Sequence, residues 1–233
     1  MQQDEWGRRS FLGALLVWLG VGAMVQVQGQ TFINRSEELR VAGGSTACWF
    51  DMNNDGWVDV LVGGTLYRNL RGQSFAAVGD FGACVAGDFD NDGLTDLFAY
   101  GGAQVYRNID GQSFEALAMP DRPAGAHLGA ALCDLNGDGY LDVYVGGYEA
   151  WPSETHADFI LHNRAGRVFS VTWSEVRYRA RGVTACDYDR DADVDIYVSN
   201  YRLQPNVLWQ NQGDYTFLDK AAEFNALATD RGF

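Results

Sequence analysis

The most constraining feature of this sequence is a nine-residue pattern that occurs four times. It reads DMNNDGWVD at 51–59, DFDNDGLTD at 88–96, DLNGDGYLD at 134–142 and DYDRDADVD at 187–195. The shared form is D-x-[DN]-x-D-[GA]-x-x-D. Each copy is followed by a short apolar run: Val60-Leu61-Val62, Leu97-Phe98-Ala99, Val143-Tyr144-Val145 and Ile196-Tyr197-Val198. Runs of this length bounded by turn residues fit strands buried on both faces. A second pattern then recurs, an apolar pair followed by Asn, Gly and an aromatic. Its copies run from Leu66 to Phe75, Val105 to Phe114, Ile160 to Phe169 and Leu208 to Phe217. It reads as strand, tight turn, strand.

Each repeat therefore supplies about four short strands, and four-stranded units at this period predict an all-β fold, a β-propeller of four-stranded blades. The loop starts are 37, 46 and 53 residues apart. The growth comes from insertions after the central strand, at 148–158 and more briefly at 201–205. Such insertions belong on loops at one edge of a blade. Only 218–227, rich in Ala and Leu, offers any competing helical signal. Gly29-Gln30-Thr31-Phe32 matches the hairpin ends at 72–75 and 111–114, and Arg231-Gly232-Phe233 resembles Arg181-Gly182-Val183 ahead of the fourth loop. The expectation is an incomplete propeller of about four blades over residues 28–233, a segment of a longer one.

The loops place 14 Asp and two Asn at their first, third, fifth and ninth positions. Carboxylates about 5 Å apart repel by roughly 3 kcal/mol per pair at an effective dielectric near 20. A hard divalent cation is the natural counter-charge, and calcium accepts a flexible shell of oxygens better than magnesium does. About four calcium sites are expected. The expected ligands are Asp51, Asn53, Asp55 and Asp59; Asp88, Asp90, Asp92 and Asp96; Asp134, Asn136, Asp138 and Asp142; and Asp187, Asp189, Asp191 and Asp195. The seventh-position carbonyls of Trp57, Leu94, Tyr140 and Asp193 can add to each shell. Gly at the sixth position allows a positive φ; Ala192 replaces it in the fourth loop, where strain of roughly 1 kcal/mol follows. The competing reading of any one loop is a metal-free Asx turn. No Cys or His enters the pattern, which disfavours zinc and copper.

The net charge is −14, which disfavours nucleic acid and anionic membranes as partners. At the amino terminus, Arg8 and Arg9 precede an apolar run ending near Val25. Val21-Gly22-Ala23 offers a cleavage site, so residues 1–23 read as an export signal. The run is short for a membrane anchor. Arg8-Arg9-Ser10-Phe11-Leu12 also resembles a twin-arginine motif, although Gly7 stands where that motif prefers Ser or Thr. A secreted protein is expected, with no stable membrane span after cleavage. Cys48, Cys84, Cys133 and Cys186 lie one to four residues before a loop, on what read as inner strands; they read as buried small hydrophobes, with disulfides as the alternative.

The loops and hairpins, such as LWQNQGDYTF at 208–217, resemble FG-GAP/VCBS repeats, which occur in the integrin α-subunit propeller. SNY at 199–201 followed by PNVL at 205–208 is similar to the group of cartilage acidic protein and the ASPIC/UnbV proteins. The resemblance implies a seven-bladed, calcium-binding propeller acting in adhesion or matrix interaction, with calcium ligands at the loop positions given above. The chain carries four complete loops.

No catalytic signature emerges. His127, His156 and His162 show no metalloprotease spacing, and neither a G-x-S-x-G elbow nor a phosphate-binding loop is present. His156 lies near Glu149, Glu154 and Asp158 in an insertion, which reads as a solvated loop. Trp151, Trp173 and Trp209 read as core, with a sugar-binding face as the alternative. The expected function is a non-enzymatic interaction module for an extracellular protein or glycan. The alternative is a scaffold or carbohydrate-binding part of a polysaccharide-active enzyme.

Overall fold

The computed structural model describes residues 33–41, 43–152 and 154–228. The export-like segment and the 231–233 match lie outside them. Apart from a four-residue helix, α1 (Ser36–Leu39), the described chain is built of strands and turns. Four antiparallel sheets follow one another along the sequence. The first contains β1 (Ala47–Phe50), β2 (Asp59–Val62), β3 (Thr65–Asn69) and β4 (Phe75–Asp80). The second contains β5 (Cys84–Gly87), β6 (Asp96–Ala99), β7 (Gln104–Asn108) and β8 (Phe114–Ala116). The third contains β9 (His127–Cys133), β10 (Asp142–Gly147), β13 (Asp158–Arg164) and β14 (Val168–Glu175). Between β10 and β13 a small hairpin forms from β11 (Glu149–Ala150) and β12 (Glu154–Thr155). The fourth sheet contains β15 (Ala180–Cys186), β16 (Asp195–Asn200), β17 (Val207–Asn211) and β18 (Phe217–Asp219). Within each sheet the strands pair in chain order, as meanders whose connections alternate between two ends. The Asp-rich loops and the Asn-Gly hairpins share one end; the insertions lie at the other.

The first strands of successive sheets lie side by side, β1 against β5, β5 against β9 and β9 against β15. This brings sheet faces together and creates three apolar cores. The period of two along each central strand sends alternate residues to different cores. In β6, Leu97 and Ala99 pack with Met52, Leu61 and Leu66 of the first repeat, while Phe98 packs with Val143, Val145 and Phe159 of the third sheet. In β10, Tyr144 turns the other way to join Ile196, Val198 and Trp209. A strand that faces two cores must be apolar at every position, which is why the central runs show no polar alternation.

Polar side chains tie the sheets across these cores. The Asn that ends each third strand accepts a hydrogen bond from the hairpin Gly: Asn69 from Gly72 at 2.7 Å, Asn108 from Gly111 at 2.8 Å, Asn163 from Gly166 at 2.8 Å and Asn211 from Gly213 at 3.0 Å. In the last three sheets its Nδ2 also donates to the preceding repeat. Asn108 reaches the Met52 carbonyl (2.7 Å), Asn163 that of Phe89 (2.8 Å) and Asn211 that of Leu135 (2.9 Å). The hairpin glycines complete the fit: a methyl group at Gly166 would stand 2.0 Å from Asp90 Cβ. A second link joins sheets three and four. Trp209 Nε1 donates to the Tyr144 hydroxyl (3.0 Å), which donates to Asp158 Oδ2 (2.6 Å), and the Gly147 N–H donates to Asp158 Oδ1 (2.6 Å).

Several sequence expectations need correction. All four cysteines are free thiols on first strands; Cys84 and Cys133 are buried, whereas Cys48 is half-buried and Cys186 exposed. Asp158 is not part of a solvated insertion but opens β13 in the core. His162 lies on β13. It contacts Asp142 at 3.2 Å and the Tyr215 hydroxyl of the next repeat's hairpin. Residues 218–227 end β18 and continue as turns, with no helix among them. Trp173 and Trp209 stack edge to face in the third core, as expected of core residues, but Trp151 is 72% exposed.

Two outcomes follow from these couplings. Asn108→Ala removes three hydrogen bonds, to the Met52 and Thr95 carbonyls and from the Gly111 N–H, and leaves buried backbone groups unpaired, so it should cost about 3 kcal/mol in urea unfolding. Asn69→Ala, whose side chain bonds only within its own repeat, should cost less. Burial pushes the Asp158 carboxyl up to about 7 against the bonds from Tyr144 and Gly147. The folded protein then holds a proton that the unfolded chain releases near pH 4, so this group's contribution to stability falls as pH rises from about 4 to 7. Asp158→Asn should flatten that part of the stability profile, measured by denaturant titration across this range.

Candidate metal centres

Each Asp-rich loop joins a first strand to a second strand and is shaped by its own carboxylates. The first Asp accepts from the sixth-position N–H: Gly56 to Asp51, Gly93 to Asp88 and Gly139 to Asp134, each at 2.8 Å. That bond requires the left-handed turn for which Gly is suited, with φ of +81°, +90° and +86°. Ala192 adopts φ +78° in the fourth loop, and its bond to Asp187 lengthens to 3.2 Å. The fifth Asp accepts from the seventh-position N–H, so Trp57, Leu94, Tyr140 and Asp193 donate to Asp55, Asp92, Asp138 and Asp191 at 2.8 to 2.9 Å.

The ninth Asp has a different position. Asp59, Asp96, Asp142 and Asp195 are buried at the start of the second strands. One oxygen accepts the second-position N–H of its loop, from Met52, Phe89, Leu135 or Tyr188. The other accepts the N–H of the Asn that ends the third strand, Asn69, Asn108, Asn163 or Asn211. Burial raises the pKa of all four, that of Asp96 to about 6.

In the second loop, carboxylate oxygens of Asp88, Asp90 and Asp96 lie within 4.8 Å of one another. In the fourth, those of Asp187, Asp189 and Asp195 do the same. The fifth-position residues Asp92 and Asp191 stand outside these two groups. In the first and third loops the third position is an amide, and Asn53 and Asn136 donate to Asp55 and Asp138 at 3.1 and 3.0 Å. The loops are also chained to each other, since Asn54 donates to the Gly93 carbonyl and Asn91 to that of Gly139.

Asp90 carries the test of fit. Its Oδ1 is buried without a hydrogen-bond partner. Its pKa is raised by burial first and then by the charges of Asp92 and Asp88. The nearest cation is Arg107, 3.9 Å from Oδ2 and also bound to Glu115 at 2.9 Å. An unpartnered carboxylate oxygen amid other carboxylates, with no nitrogen or sulfur donors in the group, fits a hard cation that takes oxygen ligands. In the fourth loop Gln210, in the position equivalent to Arg107, donates to Asp189. These side-chain contacts were not legible in the sequence.

At the opposite end of the sheets the two insertions meet. Tyr148 and Tyr201 pack with ring centroids 6.1 Å apart. Glu149, nearly buried, pairs with Arg179 at 2.6 Å and with Arg202 at 3.2 Å. The Glu149–Arg179 approach is an ion pair without aligned hydrogen-bond geometry.

Among the described residues no helix is long and apolar enough to cross a membrane. Residues 88–145, which run from the second Asp-rich loop through β10, match the profile of the FG-GAP-like repeat family. A search of curated proteins returns no match. Among solved structures, the crystal structure of the V. cholerae biofilm matrix protein Bap1 aligns at 18% identity with a TM-score of 0.43, over 57% of this chain and 20% of that one.

Proposed function

We propose that this chain is a calcium-stabilised FG-GAP-type β-propeller segment that works outside the cell as a binding module rather than as an enzyme. Asp90 carries the reading. Its free Oδ1 sits in a group of carboxylates that no protein cation neutralises fully. Calcium would supply the missing positive charge. In the second loop Asp88, Asp90 and Asp96 would hold it, and in the fourth Asp187, Asp189 and Asp195; the remaining loops would add Asp51, Asn53, Asp134 and Asn136. Because Asp96 also binds the N–H groups of Phe89 and Asn108, fixing its carboxylate fixes the joint between loop, second strand and third strand. The propeller reading draws on four consecutive meanders whose first strands adjoin in order. The FG-GAP-like match over the second and third loops supports the same reading. Secretion draws on the amino-terminal Arg-Arg and apolar run. The partner, an extracellular protein or glycan, would meet the insertions, which vary between repeats while the cores do not.

A site filled at a hundredfold excess over its Kd contributes about 2.7 kcal/mol, or roughly 5–10 °C in Tm for a chain of this size. Calorimetry of the full chain should therefore show a higher Tm in millimolar calcium than in chelator. Asp90→Asn should reduce that gain without lowering the Tm in chelator, because it removes a repelling charge. Equal melting curves with and without calcium would overturn the proposal.

A further inference from the structure

The surface where the two insertions meet combines aromatic rings with guanidinium groups on an otherwise acidic protein. Trp151, at the tip of the β11–β12 hairpin, is 72% exposed. The Arg202 guanidinium lies 4.4 Å from its ring centroid and 5.5 Å from that of Tyr201. Arg181 occupies the irregular step in the β15–β16 register, between the pairs Ala180↔Asn200 and Gly182↔Ser199, where a bulge re-aims a side chain. Its guanidinium lies 4.6 Å from the Tyr201 centroid and 5.4 Å from that of Tyr148. Arg181 is exposed, and among the described residues it makes no ion pair. Glu149 is the one acid paired to this group, and its charge is hidden and matched by Arg179 and Arg202. The group holds Arg179, Arg181 and Arg202, against the paired Glu149 and the exposed Glu154 of β12, on a chain whose net charge is −14.

From this arrangement we infer that the Trp151–Tyr201–Arg181 surface binds an anionic saccharide, one whose sugars carry carboxylate or sulfate groups. This rests on the extracellular binding role proposed above and names the partner's chemistry. Three features favour that occupant. The indole of Trp151 is large, rigid and open to solvent, and such rings contribute contact area at low entropic cost. The apolar C–H face of a pyranose is a flat surface suited to it. Arg181, free of any carboxylate, presents a planar fork matched to a carboxylate or sulfate. Finally, the ion pairs under the rings hold the aromatic surface before any ligand arrives, which lowers the ordering cost of binding. An acidic protein would satisfy Arg181 but would leave the exposed indole without a specific use.

The test uses the full chain with calcium present, titrated by isothermal calorimetry with hyaluronate oligosaccharides, dextran sulfate, neutral dextran and polyglutamate. Saturable binding to hyaluronate or dextran sulfate is expected, without binding to dextran or polyglutamate. Hyaluronate alone would assign carboxylate recognition, and dextran sulfate alone would assign sulfate. Trp151→Ala and Arg181→Gln should each weaken binding by tenfold or more. Both should keep the calcium-dependent rise in Tm, which shows that the fold is intact. Binding to neither anionic saccharide, equal binding by both variants, or polyglutamate binding of similar strength would overturn the inference. Saccharide binding that persists while calcium leaves the melting curve unchanged would sink the calcium proposal and leave this one standing.

Discussion

A carboxylate buried at the start of each second strand holds this molecule together. Asp59, Asp96, Asp142 and Asp195 each accept one N–H from the Asp-rich loop and one from the end of the third strand. A buried charge is costly unless its hydrogen-bonding capacity is used. Here the backbone meets that need, and in doing so it fixes where the loop ends relative to the sheet. The first and fifth aspartates then act on the loop alone, closing its turns. With three kinds of carboxylate serving one turn, negative charge accumulates as a consequence of the turn's own construction. A metal-binding loop and a hydrogen-bonded turn are therefore not alternatives, since the bonds that build the turn also bring the oxygens together.

Continuity between sheets comes from two sources with different physics. Apolar burial supplies most of the driving force, and the fully buried strands β6 and β10 each feed two cores. It is non-directional, however, and would tolerate small slips between sheets. The cross-sheet amides of Asn108, Asn163 and Asn211 are directional, and each bonds a carbonyl of the preceding loop that burial would otherwise leave unpaired. Tyr215, from the fourth hairpin, reaches Asp142 in the third sheet at 3.0 Å and adds a further link of this kind. Together these contacts make each of the last three hairpins a clamp on the loop of the repeat before it.

Much of this architecture was legible in the sequence because the signals are local. The Asp-rich nonapeptides, the uninterrupted apolar runs and the Asn-Gly hairpins each announce a turn or a strand within a few residues. The nonlocal roles were not legible. The hairpin Asn reads as a turn residue, yet its amide bonds a carbonyl 56, 74 or 76 residues away. The ninth Asp reads as a ligand because a carboxylate suits both metal binding and acceptance of two N–H groups, and composition cannot separate them. Asp158 looked solvated because acidic residues surround it in sequence, whereas Tyr144, from the neighbouring strand, carries it into the core. The insertions were recognisable as loops, but only the order of the sheets brings Trp151 and Tyr201 onto one surface.

The central claim is that the acidic loops converge around cations. The most direct measurement is the anomalous scattering of a crystal grown with terbium in place of calcium. The account predicts an anomalous peak within bonding distance of Asp88, Asp90 and Asp96, with Oδ1 of Asp90 directed at it. A well-ordered second loop with no peak, and with Asp90 bound only by protein or water, would contradict it.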